Sequence, residues 1–264
     1  MNGPGEGRAD APRFEPHRFD PLVERYVAHR LRYAPRLIGW IAREAALCVS
    51  STVLDLGCGP GFLAEAFAPF AGRVLGVDPS PAMLAAARAR APANATYHEG
   101  SSHDLSAVPP GLALVVMGRS FHWMDRAATL ATLDGLVAPD GTVSLVGAWP
   151  IEGPGMAWWR AAMAAADGFA EEGEHDRLRR APDRETHEEV LLRSPFADLC
   201  RISVFARHRW TLADLAGFVL SRSTTGAADP AGLEAALAEA LAAHGPGPWT
   251  SVHEHRALLA RRPR

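Results

Sequence analysis

The chain has 264 residues, a formal net charge of −3 and no lysine, so all 27 of its basic residues are arginine. That length suits one large domain with a substantial core, the near-neutral charge offers no basic field for a nucleic acid, and the missing lysine excludes Schiff-base chemistry. Cys48, Cys58 and Cys200 lack CxxC spacing and no apolar run reaches the length of a membrane span, so a cytoplasmic location without disulfide, zinc or membrane attachment is expected.

Residues 1–20 are rich in glycine, proline and charge and read as a disordered tail, followed by a single domain over 21–264. From Pro21, apolar residues recur at helical spacing on both sides of Pro35, which closes one helix and opens the next in a helical cap over 21–50. Strand-like and helical runs then alternate: strand 52–56, helix 61–70, strand 73–77, a helix capped by Ser80 with Pro81 in its first turn, then strands 95–100 and 112–118. Asp125 can cap the next helix, with Leu130, Leu133 and Val137 on one face, before the turn 138–141 and strand 142–148. The pattern loosens over about 149–193, which reads as a helical insert placed over the strand ends. A strand at 200–210, a helix at 211–225 and a helix capped by Asp229 with Leu233, Leu237 and Leu241 in register follow. Residues 251–262 read as a seventh strand at the antiparallel edge. Such alternation is the mark of an α/β fold, a mostly parallel sheet with helices on both faces. The arginine runs at 177–180 and at the C-terminus read as solvated surface.

The stretch VLDLGCGPG, Val53 to Gly61, is a strand running into glycines at alternate positions. Gly57, Gly59 and Gly61 lack a Cβ where the backbone must turn and where a ligand can approach the amides of the following helix, and Asp55 is expected to face that ligand. A dinucleotide fingerprint needs a sixth-position glycine, where Phe62 stands, and a P-loop needs a lysine the chain does not have.

The pattern D-x-G-x-G-x-G resembles motif I of the class I S-adenosylmethionine-dependent methyltransferases. LGVDPSPAML resembles their second signature, which implies that Asp78 takes both ribose hydroxyls, with Pro79 and Met83 beside it. A carboxylate suits a diol because it accepts two hydrogen bonds at once. YHEGSSHDL is similar to the family's adenine segment and implies contacts from Ser101, Ser102 and His103, although the usual glutamate is missing. GRSFHWMDR, Gly118 to Arg126, looks like the F-H-W signature of a small-molecule branch that includes trans-aconitate methyltransferase-like proteins. An upstream segment resembles that branch's Y-x-x-x-R-P-x-Y-P helix, with Leu31 and Ala34 in place of its prolines, and implies cofactor contacts from Tyr26 and Arg30 and a substrate contact from Tyr33. The resemblance implies a Rossmann-like seven-stranded sheet with a helical lid, S-adenosylmethionine as cofactor, S-adenosylhomocysteine as product and a small-molecule substrate.

Methyl transfer from a sulfonium is an in-line displacement, so the protein must chiefly hold an acceptor lone pair behind the S–CH₃ bond and exclude water. His122 is the candidate base for an acceptor that must lose a proton, and a pocket-wall role for it stays open beside that reading. Arg119 can clamp a carboxylate with its planar fork. Trp123, Trp158, Trp159, Arg222 and Ser223 are expected at the substrate, with a core role for one or two tryptophans as the alternative. No HExxH or comparable spacing points to a metal. The leading expectation is methylation of a small molecule at a hydroxyl or carboxylate oxygen. The alternatives are a macromolecular target, a non-methylating rearrangement or cyclisation on the same cofactor, or a non-catalytic cofactor-binding protein.

Overall fold

A computed structural model describes residues 20–171, 173, 176–178 and 181–264. The tail over 1–19 and part of the arginine run at 177–180 lie outside the described residues. Seven strands, β1 (Thr52–Leu56), β2 (Arg73–Asp78), β3 (Ala95–Glu99), β4 (Leu112–Gly118), β5 (Val137–Pro150), β6 (Asp198–Trp210) and β7 (Trp249–Arg261), form one sheet in the order β3-β2-β1-β4-β5-β7-β6. The first five are parallel, and β7 runs antiparallel to both β5 and β6. The chain order therefore reverses between β1 and β4, and a ligand crevice is expected outside the carboxyl ends of these strands.

The α/β reading from sequence holds, with one correction to the strand order. β7 is an interior strand and β6 is the edge. Ala257, Leu258, Leu259 and Ala260 of β7 are all buried, so that strand needs cover on both faces and partners on both sides. On β6, Arg201, Phe205, Arg207 and Arg209 are exposed, and charged side chains of this kind guard an edge against pairing with another chain. A second adjustment concerns β5, which starts at Val137 and includes the expected turn. Its pairing with β4 jumps from Leu112↔Val137 to Leu114↔Thr142, so residues 138–141 bulge out of register.

Local chemistry sets the helices. Pro35 opens α2 (Pro35–Glu44), separating it from α1 (Val23–His29). After α3 (Phe62–Phe67), Ser80 caps α4 (Pro81–Arg88) by accepting from the Met83 N–H at 3.1 Å, and Asp125 caps α5 (Arg126–Asp134) through the Ala128 N–H at 3.0 Å. The insert contributes α6 (Ala157–Asp167) and α7 (His187–Leu192). Thr211 and Asp229 then cap α8 (Leu212–Leu220) and α9 (Pro230–Leu241). One apolar cluster covers each face of the sheet, and a third, built on Trp158, Trp159, Leu215, Val219, Leu233 and Leu237, joins α6, α8 and α9 into a separate layer above the strand ends.

Candidate active site

Past the end of β1, the Gly57 and Cys58 N–H groups both donate to the Val77 carbonyl, at 2.8 and 3.0 Å, which ties the turn to β2. Gly57, Gly59 and Gly61 all have left-handed φ, +68°, +52° and +81°. A Cβ on Gly61 would lie 2.6 Å from the Tyr97 hydroxyl, so this glycine is required by the protein's own packing. A Cβ on Gly59 would meet nothing within 4 Å, so it is the middle glycine that borders open space.

Asp55 does not face that space. It is 1% exposed and accepts from the Ala64 N–H at 2.9 Å, holding the first turn of α3 onto β1. Burial pushes its carboxyl up to about 7 despite that amide. β1 is covered on both faces, so a residue between Leu54 and Leu56 ends in the interior and must find a partner there. Cys58 is likewise buried, its thiol pushed well above the ordinary value by burial.

Asp78 ends β2 at the other side of the turn. Its Oδ2 accepts from the Gly59 N–H at 2.7 Å and its Oδ1 from the Ser80 N–H at 3.0 Å. Burial raises the carboxyl to about 6 although both amides act to lower it. Each oxygen keeps a further lone pair, which is the acceptor chemistry a ribose diol requires. Pro79 is half-buried beside it, and Met83 is buried in the first turn of α4. The Gly100 N–H donates to the Asp78 carbonyl at 3.2 Å, bringing the segment after β3 to the same place. There Ser101 Oγ accepts from the His103 N–H at 3.2 Å, Ser102 is half-buried and His103 is exposed. The three strand ends thus bring together a glycine turn, an acid and a polar loop.

Arg119, after β4, has the left-handed φ of +58°. Its Nε donates to the Tyr33 hydroxyl at 3.0 Å and its Nη2 to the Leu31 carbonyl at 3.1 Å. Tyr33 is buried, with burial pushing its phenol up to about 12; it borders a further cavity and not the main one, and its hydroxyl accepts from Arg119. Arg30 lies 5.2 Å from the Tyr26 ring centroid. Burial alone would raise the Tyr26 phenol, but Arg119 and Arg30 hold it below its ordinary value.

A cavity of about 540 Å³ opens at the ends of β4 and β5 and brings together Tyr26, Arg30, Arg119, His122, Trp123 and Ser223. His122 and Trp123 are half-buried on a 3-10 turn, Phe121–Trp123, and Arg184 Nη2 donates to the His122 carbonyl at 3.1 Å. The cavity also contains Arg126, Asp176, Arg184, His187 and Arg256, which sequence reasoning missed. Arg126 Nη1 donates to the Glu185 carbonyl at 2.7 Å and lies 3.4 Å from His187 Nδ1. Burial, then Arg126 and Arg184, push His187 down to about 4, so it adds no positive charge at neutral pH. Glu185 and Glu188 also border the cavity but pair outward with Arg193 and Arg201. Arg30, Arg119, Arg126, Arg184 and Arg256 thus share the cavity with Asp176 and these two glutamates.

The tryptophans and Arg222 expected at the substrate are only partly where the sequence put them. Trp158 stacks on Trp249, with ring centroids 6.0 Å apart, in the apolar cluster of the insert and borders neither this cavity nor its neighbour. Trp159 and Arg222 border a second cavity of about 450 Å³, which shares Arg30, Arg119, Ala148 and Trp149 with the first. Trp149, 47% exposed on β5, stands between the two. Among the described residues no three His, Cys, Asp or Glu side chains are grouped to hold a metal, and no helix is long and apolar enough to cross a membrane.

Residues 53–141 match the family described as a methyltransferase domain. The chain is 36% identical over 130 residues to a trans-aconitate 2-methyltransferase of Methylobacterium radiotolerans, covering 47% of this chain and 46% of that one. It is 35% identical over 114 residues to a ubiquinone biosynthesis O-methyltransferase of Aromatoleum aromaticum, covering 41% and 48%. The matches span about half the length of these curated relatives. Among solved structures, a putative type II methyltransferase from Anaeromyxobacter dehalogenans superposes with a TM-score of 0.60 at 23% identity, covering 88% of this chain and 97% of that one, a likeness of fold.

Proposed function

From a chain that belongs to the class I S-adenosylmethionine-dependent methyltransferases, we propose an enzyme that methylates a small molecule at oxygen, either a hydroxyl or a carboxylate. The observation that carries this reading is the pairing of Asp78 and the open turn at Gly59 with an arginine-rich cavity at the adjoining strand ends. When bound, S-adenosylmethionine supplies an electrophilic methyl group and leaves as S-adenosylhomocysteine. Asp78 accepts from the ribose hydroxyls, with Ser101, Ser102 and His103 at the base. Arg119 and Arg30 take the methionine carboxylate, the first held in place by Tyr33. Arg126 and Arg184 orient an anionic group of the acceptor, a role that their place on the cavity wall and the planar fork of a guanidinium support. His122 receives the proton of a hydroxyl acceptor; a carboxylate acceptor has none to give, and there His122 serves as a wall. Trp123 and Trp149 limit water. Alignment of this kind supplies about 7–11 kcal/mol of barrier reduction.

We place the enzyme in the cytoplasm, a reading supported by its three free thiols. The test is incubation with S-adenosylmethionine deuterated in the methyl group and a panel of small carboxylic acids and phenols, read by mass spectrometry. A product carrying the labelled methyl is expected. Binding of the cofactor with turnover that never incorporates label would instead show a non-methylating reaction on the same fold.

A further inference from the structure

The second cavity is walled by Trp149, Trp159, Met163, Phe218, Arg222 and His253. Three aromatic rings and a thioether supply its apolar surface, with Arg30, Arg119, Asp167 and Arg222 as charged neighbours, and its volume of about 450 Å³ is that of a small-ligand pocket. Trp159 and Phe218 lie 5.9 Å apart at 49°.

His253 stands out within this wall. It is 1% exposed, and the residues around it fix its hydrogens. Trp210 Nε1 has only a hydrogen to give and donates to Ser251 Oγ at 2.7 Å. Ser251 is itself fully buried and its Oγ lies 3.1 Å from His253 Nδ1, the acceptor we assign to the hydroxyl hydrogen because Trp210 already donates to that oxygen. Nδ1 is then an acceptor, so Nε2 carries the ring hydrogen. Among the described residues Nε2 forms no hydrogen bond, and as the ring borders the second cavity its N–H is available there to an acceptor. The neighbouring His255 and His208 are already engaged. His255 Nδ1 accepts from the Ala34 N–H at 3.1 Å, and its Nε2 then donates to His208 Nε2 at 3.0 Å. Burial, then His208 and His255, push His253 down to about 3, so it stays neutral and keeps one N–H across the physiological range.

We propose that the second cavity binds the remote part of the methyl acceptor, a planar aromatic ring bearing a hydroxyl or carbonyl oxygen that accepts from His253 Nε2. The inference rests on the small-molecule methyltransferase reading and extends it. Arg30, Arg119, Ala148 and Trp149 border both cavities, so a single elongated acceptor can place its reacting oxygen in the first and its ring in the second.

The experiment titrates 2-naphthol and naphthalene, as probes, into the full chain by tryptophan fluorescence, with S-adenosylhomocysteine binding measured in parallel by calorimetry. His253→Phe keeps a ring but removes the donor. It should weaken 2-naphthol by about 3- to 10-fold, the worth of one buried hydrogen bond, and leave naphthalene within about twofold. Met163→Trp fills the slot and should weaken both probes by at least about tenfold. A crystal soaked with 2-naphthol should place its oxygen within hydrogen-bond distance of His253 Nε2, a measurement that needs no variant. Wild-type protein that binds S-adenosylhomocysteine but not 2-naphthol overturns the subsite alone, as does naphthol binding indifferent to Met163→Trp or a soak that seats the ring elsewhere. Failure to bind S-adenosylhomocysteine overturns the methyltransferase reading instead, and the probe titrations are judged apart from it.

Discussion

Asp78→Asn separates a ligand-binding acid from a merely structural one. In the free protein the Asp78 carboxyl is held near 6, because burial outweighs the two amides it accepts from. Ribose hydroxyls donate to the ionised form and so lower this value on binding. Cofactor affinity should therefore be flat above pH 7 and fall as pH drops through 6, by roughly tenfold at pH 5. The sign for stability runs the other way. A carboxyl raised from 3.8 to about 6 stabilises the folded state at low pH relative to high, and that contribution, on the order of 3 kcal/mol, is lost as pH rises across this window. Acid weakening of the complex therefore cannot be blamed on this group unfolding the protein. Asparagine keeps one acceptor oxygen but sets an amide NH₂ against a backbone N–H and loses the charge. Weakening on the order of 2–4 kcal/mol, roughly 30- to 1000-fold, is expected. Calorimetry with S-adenosylhomocysteine from pH 5 to 8 reads both effects, and the variant should lose the step near 6. Asp55, which titrates near 7 beneath the turn, is present in both proteins and cancels in the comparison. A wild-type affinity unchanged between pH 7.5 and 5, or a variant within twofold of wild type, refutes the assignment.

His122→Asn should reduce turnover of a hydroxyl acceptor by about 10²- to 10⁴-fold while S-adenosylhomocysteine affinity stays within about twofold, and full turnover would make it a wall residue. Asp55→Asn retains an oxygen for the Ala64 N–H and removes a buried charge. Since burial raises Asp55 from 3.8 to about 7, the variant should exceed wild type in urea-unfolding stability at pH 8.5 by up to ~4 kcal/mol, the advantage vanishing toward pH 4. Equal pH profiles for the two proteins would show that Asp55 is not desolvated. Gly61→Ala combines a φ of +81° with a Cβ 2.6 Å from the Tyr97 hydroxyl, and should cost about 2–4 kcal/mol. A loss under about 1 kcal/mol would mean the turn relaxes freely.

What could be read in the sequence is what short stretches of chain determine. The glycine turn, the acid one βα unit later and the caps at Ser80, Asp125 and Asp229 each depend on neighbours a few residues away, and the structure has them as expected. Asp55 misled because an acid at a strand end has two ways to be satisfied, a ligand or a helix amide, and the choice of Ala64 appears only when α3 folds back. The interior place of β7 was hidden for a similar reason: antiparallel pairing over Asp198↔Arg261 to Trp210↔Trp249 joins distant residues, and no local pattern says which strand has the free side. One signal was overlooked, since Arg126 closes the same F-H-W segment that supplied His122.

The charge of the cavity could not have been counted from composition. In a chain with a net charge of −3, Arg30, Arg119, Arg126, Arg184 and Arg256 border one cavity beside Asp176, while Glu185 and Glu188 on its wall pair with Arg193 and Arg201. The sign of a site is set by which pairs close outside it. Reversing one such pair is informative for that reason: Arg201→Glu should free Glu188 and weaken an anionic acceptor more than S-adenosylhomocysteine, whose carboxylate is taken by Arg30 and Arg119 on the same cavity but whose ribose is held by Asp78. Equal weakening of both ligands would mean that the two charge fields are not separate.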